Sequence, residues 1–201
     1  MFTGIVEAVG TLAERAPSET GYRIRIETDL ASQLTRGASV AVNGVCLTVT
    51  DIDAAGSFRA DIGTETARVT TLGGLPAKSG VNLERSLRFD GRISGHLVQG
   101  HVDGVGVLTA VRPDGETQWL TISYPPELAP YMVRKGSVAV DGVSLTVAEL
   151  GETQFDVQIV PFTWAATTMP LLVRGSRVNL ECDMIGKYVV RALQLRERVV
   201  G

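Results

Sequence analysis

The decapeptide VAVNGVCLTV (Val40–Val49) recurs almost unchanged as VAVDGVSLTV (Val138–Val147), with eight of ten positions identical. In each copy an Asn-Gly or Asp-Gly pair separates two Val-rich runs. This predicts a β-hairpin, because a type I′ turn needs positive φ at both central residues. After the turn, aliphatic and small polar residues alternate, so each hairpin should bury one face and present small polar groups on the other. The two differing positions are Asn43 against Asp141 and Cys46 against Ser144.

The repeat extends beyond the hairpin, in blocks that keep their order at offsets of 96 to 98 residues. Each half is therefore long enough for its own core. Short strands separated by turn residues are typical of a small sandwich or barrel, and we predict an all-β fold of two tandem domains. The further blocks are GIVEAVG at Gly4 and GHVDGVG at Gly100, TARVTTL at Thr66 and TWAATTM at Thr163, and VNLE at Val81 and Val178. Further strands are predicted at Tyr22–Glu27, Ser57–Ile62, Trp119–Ser123 and Phe155–Val160.

The last segment of the chain breaks the strand pattern. Its apolar residues follow the spacing of one helix face. A lone helix with an apolar stripe must dock on its own domain or on a partner subunit, and we favour the partner. The stripe consists of Ile185, Val189, Ala192, Leu193, Leu195 and Val199.

Composition narrows the functional class. The 201 residues carry a net charge of about −3, and no basic stripe suggests nucleic acid or an anionic membrane. The start, MFTGIVEAVG, lacks the features of a signal peptide, and no apolar run is long enough to span a bilayer. Cys46 and Cys182 form no CxxC pair. We expect a reduced, cytoplasmic protein.

Motifs for cofactors and metals are not apparent in the sequence. GVGVLTA does not match GxGxxG, and no phosphate-binding loop is present. His96 and His101 are five residues apart, which on one strand would place them on opposite faces. We therefore expect neither a metal nor an organic cofactor.

Small polar side chains mark a candidate pocket in each half. Cys46 and Thr48 share one strand face, as do Ser144 and Thr146. Such a face is often merely solvated, but its retention in both copies favours a pocket for a polar heterocycle.

Three further candidates occur in only one half. His101 lies in QGHVDG, where the first half has Ile5. A lone histidine is more often structural than catalytic, although its pKa range suits proton transfer. Lys135 and Asp183 are also specific to one copy, and such charges are normally just solvated.

Taken together, these segments resemble the riboflavin synthase family of the alpha-chain type. The motifs are MFTGIVE, NGVCLTV, GHLVQGHVDG, KGSVAVDGVSLTV and VNLECD, and they cover essentially the full length. The resemblance implies two similar six-stranded antiparallel β-barrels of Greek-key type, at 1–97 and 98–186. It also implies a C-terminal oligomerisation helix at 187–201, through which a homotrimer forms.

The resemblance further implies an enzyme, a transferase in flavin biosynthesis. Two molecules of 6,7-dimethyl-8-ribityllumazine would give riboflavin and 5-amino-6-(D-ribitylamino)uracil by transfer of a four-carbon unit, the last step of riboflavin biosynthesis, with no metal or organic cofactor. The site would lie between the first barrel of one subunit and the second barrel of its neighbour, with two substrate molecules per site.

Site residues are carried over by matching motif. The first-barrel pocket is expected to use Gly4, Ile5, Val6, Cys46, Leu47, Thr48, Asp61, Ile62, Gly63, Thr64, Glu65 and Thr66. The second-barrel pocket is expected to use Gly100, His101, Val102, Ser144, Leu145, Thr146, Gln158, Ile159, Val160, Pro161, Phe162 and Thr163. Lys135 is expected to reach the ligand of the adjoining subunit. The activity-sensitive residues implied are Phe2, Cys46, His101, Lys135, Ser144, Thr146 and Asp183.

A duplicated barrel suits a reaction between two copies of one compound, because the pockets can match in shape yet differ in reactive groups. We expect a base, His101 or a water that it orients, to remove a proton from the 7-methyl group of one substrate. A nucleophile, either water or a side chain near Cys46, Ser144 or Thr146, would add to the other ring. The competing interpretations are a protein that binds a fluorescent lumazine without catalysis and a β scaffold with no ligand.

Overall fold

The computed structural model describes the backbone of residues 1–200 and the side chains of residues 1–196. The strands of the first half are β1 (Ala8–Ser18), β2 (Gly21–Glu27), β3 (Ser39–Val42), β4 (Val45–Asp53), β5 (Ser57–Gly63) and β6 (Gly80–Arg85). Those of the second half are β7 (Gly104–Asp114), β8 (Thr117–Ser123), β9 (Ser137–Val140), β10 (Val143–Thr146), β11 (Glu149–Leu150), β12 (Gln154–Ile159) and β13 (Arg177–Cys182). The α-helices are α1 (Thr64–Val69), α2 (Pro161–Ala166) and α3 (Met184–Val200).

Each half forms an antiparallel barrel. The first closes in the order β1-β2-β5-β4-β3-β6. The second runs β10-β9-β13-β7-β8-β12-β11, and β10 and β11 are one strand interrupted at Val147 and Ala148. The amide of Ala148 donates to the carbonyl of Asp156 at 2.8 Å, which keeps this strand beside β12 and closes the ring. The prediction of two six-stranded barrels is confirmed.

Alternation along the strands produces the two cores. In β4, Val45, Leu47 and Val49 point into the first barrel, while the Cys46 side chain lies half-buried on the other face. The strand β10 repeats this pattern in the second barrel. Each fully buried aliphatic side chain contributes about 1.5–3 kcal/mol relative to exposure, which fixes the register that aims the polar face outward.

The two repeated hairpins meet where the barrels touch. Asn43 and Gly44 have φ of 45° and 75°, and Asp141 and Gly142 have φ of 45° and 77°, as the predicted type I′ turns require. A Cβ on Gly44 would lie 2.7 Å from the amide nitrogen of Gly142, and the reverse holds at the same distance. Glycine is therefore required both by the turn and by the contact between turns.

Reciprocal hydrogen bonds from the two VNLE blocks fasten this contact. Asn82 and Asn179 each reach into the opposite half and use both ends of the side-chain amide. Such buried, fully paired amides fix one orientation of the two barrels, because breaking either leaves a polar group unpaired. The bonds run from Asn82 Nδ2 to the Asp141 carbonyl (2.9 Å), from Asn179 Nδ2 to the Asn43 carbonyl (2.8 Å), from the Thr168 amide to Asn82 Oδ1 (2.8 Å) and from the Thr71 amide to Asn179 Oδ1 (2.8 Å).

The C-terminal helix α3 begins at Met184, three residues before the start predicted at residue 187. Asp183 caps it by accepting from the Ile185 amide at 3.0 Å, and Lys187 pairs with Asp103 at 2.7 Å. Beyond this anchor the predicted apolar stripe lies open, with Val189 and Leu193 53% and 54% exposed. The Val199 side chain, the last member of the stripe, lies outside the described residues. None of the helices in the described part of the chain is long and apolar enough to cross a membrane.

Candidate functional site

Two chain segments exchange barrels beside the repeated hairpins. The carbonyl of Gly4 accepts from the Ser144 amide at 2.7 Å, and the carbonyl of Gly100 accepts from the Cys46 amide at 2.9 Å. The next apolar side chains follow the same exchange, because Val6 packs on the second core and Val102 on the first. Gly4 and Val6 therefore contact the second barrel, and Gly100 and Val102 contact the first, which differs from the expected grouping of Gly4, Ile5 and Val6 with the first barrel and of Gly100, His101 and Val102 with the second.

Glycine is obligatory at both crossing points. Gly4 and Gly100 have φ of +75° and +79°, and a Cβ on them would lie 2.6 Å from the Ser144 Cβ and 2.5 Å from the Cys46 Cβ. Left-handed backbone and so close an approach both exclude larger residues. This explains why GIVE and GHVD both begin with glycine.

Two buried glutamates hold the crossing segments in place. Glu84 accepts two backbone amides of residues 3–4 at 2.6 and 2.9 Å, and Glu181 does the same for residues 99–100 at 2.6 and 2.9 Å. Burial raises the pKa of both carboxyls, and the hydrogen bonds from the amides oppose that rise. Sequence reasoning did not identify this role. Its signal was the repeated Asn-x-Glu in VNLE, which places two polar residues on one face of a buried strand.

The first pocket lies between Cys46, helix α1 and the crossing segment from the second half. It is a small cavity of about 170 Å³, with the Cys46 and His101 side chains in its lining. Four other predicted residues also line it: Glu65, Thr66, Gly100 and Val102. The full lining comprises Val45, Cys46, Glu65, Thr66, Val69, Thr70, Gly100, His101 and Val102.

The repeat places the counterpart of this pocket in the second half at Ser144, which contacts the Gly4 segment. Trp164 of α2 packs on the second core. Phe162, the repeat counterpart of Glu65, is 81% exposed, and Val160 is 52% exposed. Large apolar side chains left in water beside a pocket are typical of a surface that another chain covers.

His96 contacts Ser144, a contact that sequence reasoning missed. Its Nδ1 lies 2.7 Å from Ser144 Oγ, and its amide donates to the Thr3 carbonyl at 3.1 Å. Burial lowers the pKa of His96, while the charge of Asp183 opposes that change. His96 and His101 both lie in the connection between the barrels, outside any strand.

Other predicted residues form surface pairs, lie in the barrel cores or are exposed. Asp61 lies on the outer wall and pairs with Arg23 at 2.7 Å, which lowers the pKa of the Asp61 carboxyl through that hydrogen bond. Gln158 Nε2 donates to Thr117 Oγ1 at 3.0 Å. The side chains of Leu47, Ile62, Leu145 and Ile159 are buried in the barrel cores. Those of Thr48 and Thr146, and residues Gly63, Thr64 and Pro161, are exposed.

Phe2 and Lys135 occupy unusual positions. Phe2 is 0% exposed and packs between the barrels against Val98. Lys135 is exposed and has φ of 65°, where its repeat partner Gly37 has φ of 86°. A lysine held in left-handed backbone is strained, which occurs most often at functional positions.

Within the part of the chain whose side chains are described, no group of three or more His, Cys, Asp or Glu residues is arranged to hold a metal ion. The second cysteine, Cys182, is buried, and burial raises the pKa of its thiol to about 12. A thiol so poorly ionised is a weak nucleophile. The reactive groups of the two pockets are therefore hydroxyl, thiol and imidazole.

Known proteins share this arrangement. The lumazine binding domain family matches residues 3–86 and again residues 99–183. Riboflavin synthase of Mycobacterium tuberculosis (strain ATCC 25618 / H37Rv) is 43% identical over 198 residues, covering 96% of this chain and 98% of that protein. Riboflavin synthase of Bacillus subtilis (strain 168) is 40% identical over 194 residues, covering 96% and 90%.

Solved structures agree with the fold. LumP complexed with riboflavin superposes with a TM-score of 0.84 at 24% identity, covering 90% of this chain and 99% of that one. LumP complexed with 6,7-dimethyl-8-(1'-D-ribityl) lumazine gives a TM-score of 0.82 at 23% identity over the same shares. At that identity the likeness shows a common fold. From the family match in both halves and from the full-length relatives, the chain belongs to the riboflavin synthase family, with one lumazine binding domain in each half.

Proposed function

We propose that this protein is a riboflavin synthase, a transferase that converts two molecules of 6,7-dimethyl-8-ribityllumazine into riboflavin and 5-amino-6-(D-ribitylamino)uracil. The observation that carries the proposal is the pair of crossing contacts, Gly4 on Ser144 and Gly100 on Cys46. These contacts give one chain two equivalent backbone frames with different side chains, which supports one pocket in each half. Relatives named riboflavin synthase span 96% of the chain, which supports the same assignment.

A reaction between two identical substrates needs this combination. Equal frames bind equal rings, and unlike side chains let one ring lose a proton while the other accepts a nucleophile. Holding two rings in contact contributes on the order of 7–11 kcal/mol to barrier lowering through orientation alone. Few catalytic side chains are then needed, in keeping with the short set of reactive groups in the pockets.

The proposed roles follow from the contacts that the Gly4 and Gly100 segments make with the opposite halves. The first pocket uses Cys46, the Asp61-to-Thr66 segment and the Gly100-to-Val102 segment, with His101 as the base or as the residue that orients a water. The second uses Ser144, Thr146 and the Gln158-to-Thr163 segment, together with the segment from Gly4 to Val6. The pocket-forming domains are 1–97 and 98–186. Asp183 would support the site from the end of the second barrel. Phe2 would support it from the contact between the two barrels.

Assembly as a homotrimer would complete the site. The open stripe on α3 and the exposed rim at Phe162 are apolar surfaces that a second and a third copy can cover. The first pocket of one subunit would then face the second pocket of its neighbour, and Lys135 would reach across to the neighbour's ligand. The proposed location of the enzyme is the cytoplasm.

Purified protein mixed with the lumazine tests the proposal. Riboflavin should appear by its visible absorbance, with one aminouracil for each riboflavin and two lumazines consumed. Binding that leaves the lumazine unconverted would contradict the proposal and support a lumazine-binding protein. If the protein neither binds nor converts the lumazine, the result would support a scaffold without a ligand.

A further inference from the structure

A larger cavity, the interbarrel groove, lies between the two halves at the repeated hairpin turns. It has a volume of about 490 Å³, which is typical of a small-molecule site. Its lining comes from both halves in repeat-related pairs, such as Asn43 with Asp141 and Leu75 with Leu172. The described residues that line it include none of those expected to bind the lumazine. The groove is therefore separate from the pockets of the proposed reaction.

Two buried side chains offer this groove one hydrogen-bond donor and one acceptor. Asn43 and Asp141 are 5% and 4% exposed, and their Oδ1 atoms accept from the amides of Asn82 and Asn179 at 2.7 and 2.8 Å. The backbone donor fixes the orientation of the Asn43 amide, so its other end is an NH2 group. Within residues 1–196, Asn43 Nδ2 and Asp141 Oδ2 have no hydrogen-bond partner, and neither atom is sealed from solvent.

Thr71 adds an unpartnered hydroxyl to the same lining. The residue is 7% exposed, and among the described residues its Oγ1 is buried without a hydrogen-bond partner. Its amide is already occupied, since it donates to Asn179 Oδ1 at 2.8 Å. A buried hydroxyl without a partner is unfavourable. A ligand in the groove that accepts from this hydroxyl removes that cost.

Apolar walls and two cations complete the interbarrel groove. Leu75 packs on the first core and Leu172 on the second, so both barrels hold the walls. Lys78 and Arg177 are exposed in the lining, and neither forms an ion pair with another side chain that the structure describes. Lys78 has φ of 71°, where its repeat partner Gly175 has φ of 94°. A lysine in left-handed backbone is strained, which favours a functional position.

We propose that the interbarrel groove binds a planar imide heterocycle that carries a phosphate, the chemistry of flavin mononucleotide (FMN). An imide edge presents a carbonyl, an N–H and a second carbonyl in that order. The N–H donates to Asp141 Oδ2, and the carbonyls accept from Asn43 Nδ2 and Thr71 Oγ1. The ring lies between the apolar walls, and the phosphate pairs with Lys78 and Arg177. Occupancy of this site does not depend on the proposed reaction.

Calorimetric titration of the parent protein with three ligands tests the imide edge and the phosphate. FMN should bind in the groove at one molecule per chain. Riboflavin has the same ring without the phosphate, and the 3-methyl derivative of FMN has the phosphate without the imide N–H. Each should bind the groove about tenfold or more weakly than FMN, because each loses a hydrogen bond to a charged group. This comparison does not depend on any variant folding.

The variant Asp141→Asn tests the acceptor. Its amide oxygen must still accept from the Asn179 amide, so an NH2 group replaces Oδ2 and opposes the imide N–H. Asn43 shows that the turn accommodates an amide, so the variant should fold. It should weaken one FMN binding event about tenfold or more. The 3-methyl derivative should then bind no worse than FMN, because both changes remove the same bond.

The variants Lys78→Gly and Arg177→Gln test the cations. Lys78→Gly introduces the residue that the second half has at Gly175, and it relieves the left-handed backbone. Each variant should weaken the same FMN binding event about tenfold or more and leave any binding elsewhere unchanged. Arg174→Gln is the matched control, since Arg174 is exposed but lies outside the groove lining. It should bind FMN as the parent does.

Three results would overturn the proposal. The first is equal affinity of the parent for FMN and its 3-methyl derivative. The second is parent-like FMN binding by Asp141→Asn or by Lys78→Gly. The third is a loss in Arg174→Gln as large as that in Arg177→Gln, because it would show a general attraction of phosphate to basic side chains. A failure to form riboflavin bears on the proposed function and leaves these binding results unaffected.

Discussion

Replacing Asp141 with Asn should stabilise the protein above neutral pH. Asp141 is buried in the turn between β9 and β10, where its Oδ1 accepts from the Asn179 amide at 2.8 Å. Burial raises the pKa of this carboxyl to about 7, and the single amide bond opposes that rise only in part. In the first half the same turn position holds Asn43, whose Oδ1 accepts from the Asn82 amide at 2.7 Å. An amide therefore already fits this geometry.

The sign follows from proton linkage. The folded pKa of about 7 lies above the ordinary value of 3.8, so the folded state binds more protons between those values. The stability that Asp141 contributes is therefore fully present below about pH 4, falls as the pH rises, and is absent above about pH 7. At 1.36 kcal/mol per pKa unit the full loss is on the order of 4 kcal/mol, and more than half of it falls between pH 5 and pH 8.

Urea unfolding of both proteins at pH 5 and pH 8, at one protein concentration, measures this directly. The advantage of Asp141→Asn over the parent should grow by about 2–3 kcal/mol from pH 5 to pH 8. Other buried carboxyls, such as Glu84 and Glu181, are present in both proteins and cancel. The reciprocal variant Asn43→Asp is the matched control and should acquire the same pH dependence. An advantage that does not change with pH would refute the burial argument.

Four further outcomes are expected. His101→Gln should slow riboflavin formation by about 10²-fold or more with binding retained, as measured by single turnover and titration; unchanged turnover would refute its role. Gly100→Ala should lose turnover, because its Cβ would meet Cys46 at 2.5 Å, and normal kinetics would contradict the crossing contact. Phe2→Ala should lower the free energy of unfolding, measured in urea, by about 3–5 kcal/mol; a much smaller loss would show that Phe2 is not tightly packed. Leu193→Glu should reduce the mass in sedimentation from that of a trimer to 21.4 kDa, and an intact trimer would show that α3 is not the interface.

The barrels were predictable because their signals are local. The Asn-Gly and Asp-Gly turns, the alternation after them and the constant offset between blocks each specify strands and a duplication. The start of α3 had a local signal as well. Asp183 is a good N-cap residue, and placing the cap there moves the helix start to Met184, where the structure has it.

The exchange of segments was not predictable from the repeat. The match of Gly4 to Gly100 establishes that these residues are equivalent, and both an exchanged and an unexchanged arrangement satisfy it. What decides is a set of contacts far apart in sequence, such as the Ser144 amide with the Gly4 carbonyl and the Cys46 amide with the Gly100 carbonyl. His96 was missed for a similar reason, since it lies in a connection without periodicity and meets Ser144 across 48 residues.

Counting bound ligands tests most directly the claim that duplication produced two unlike pockets in one chain. The probe is a ribityllumazine analogue without the 7-methyl group, which binds as the substrate does but cannot react. Calorimetric titration should give two molecules per chain with different affinities. One molecule per chain at saturation would contradict the account.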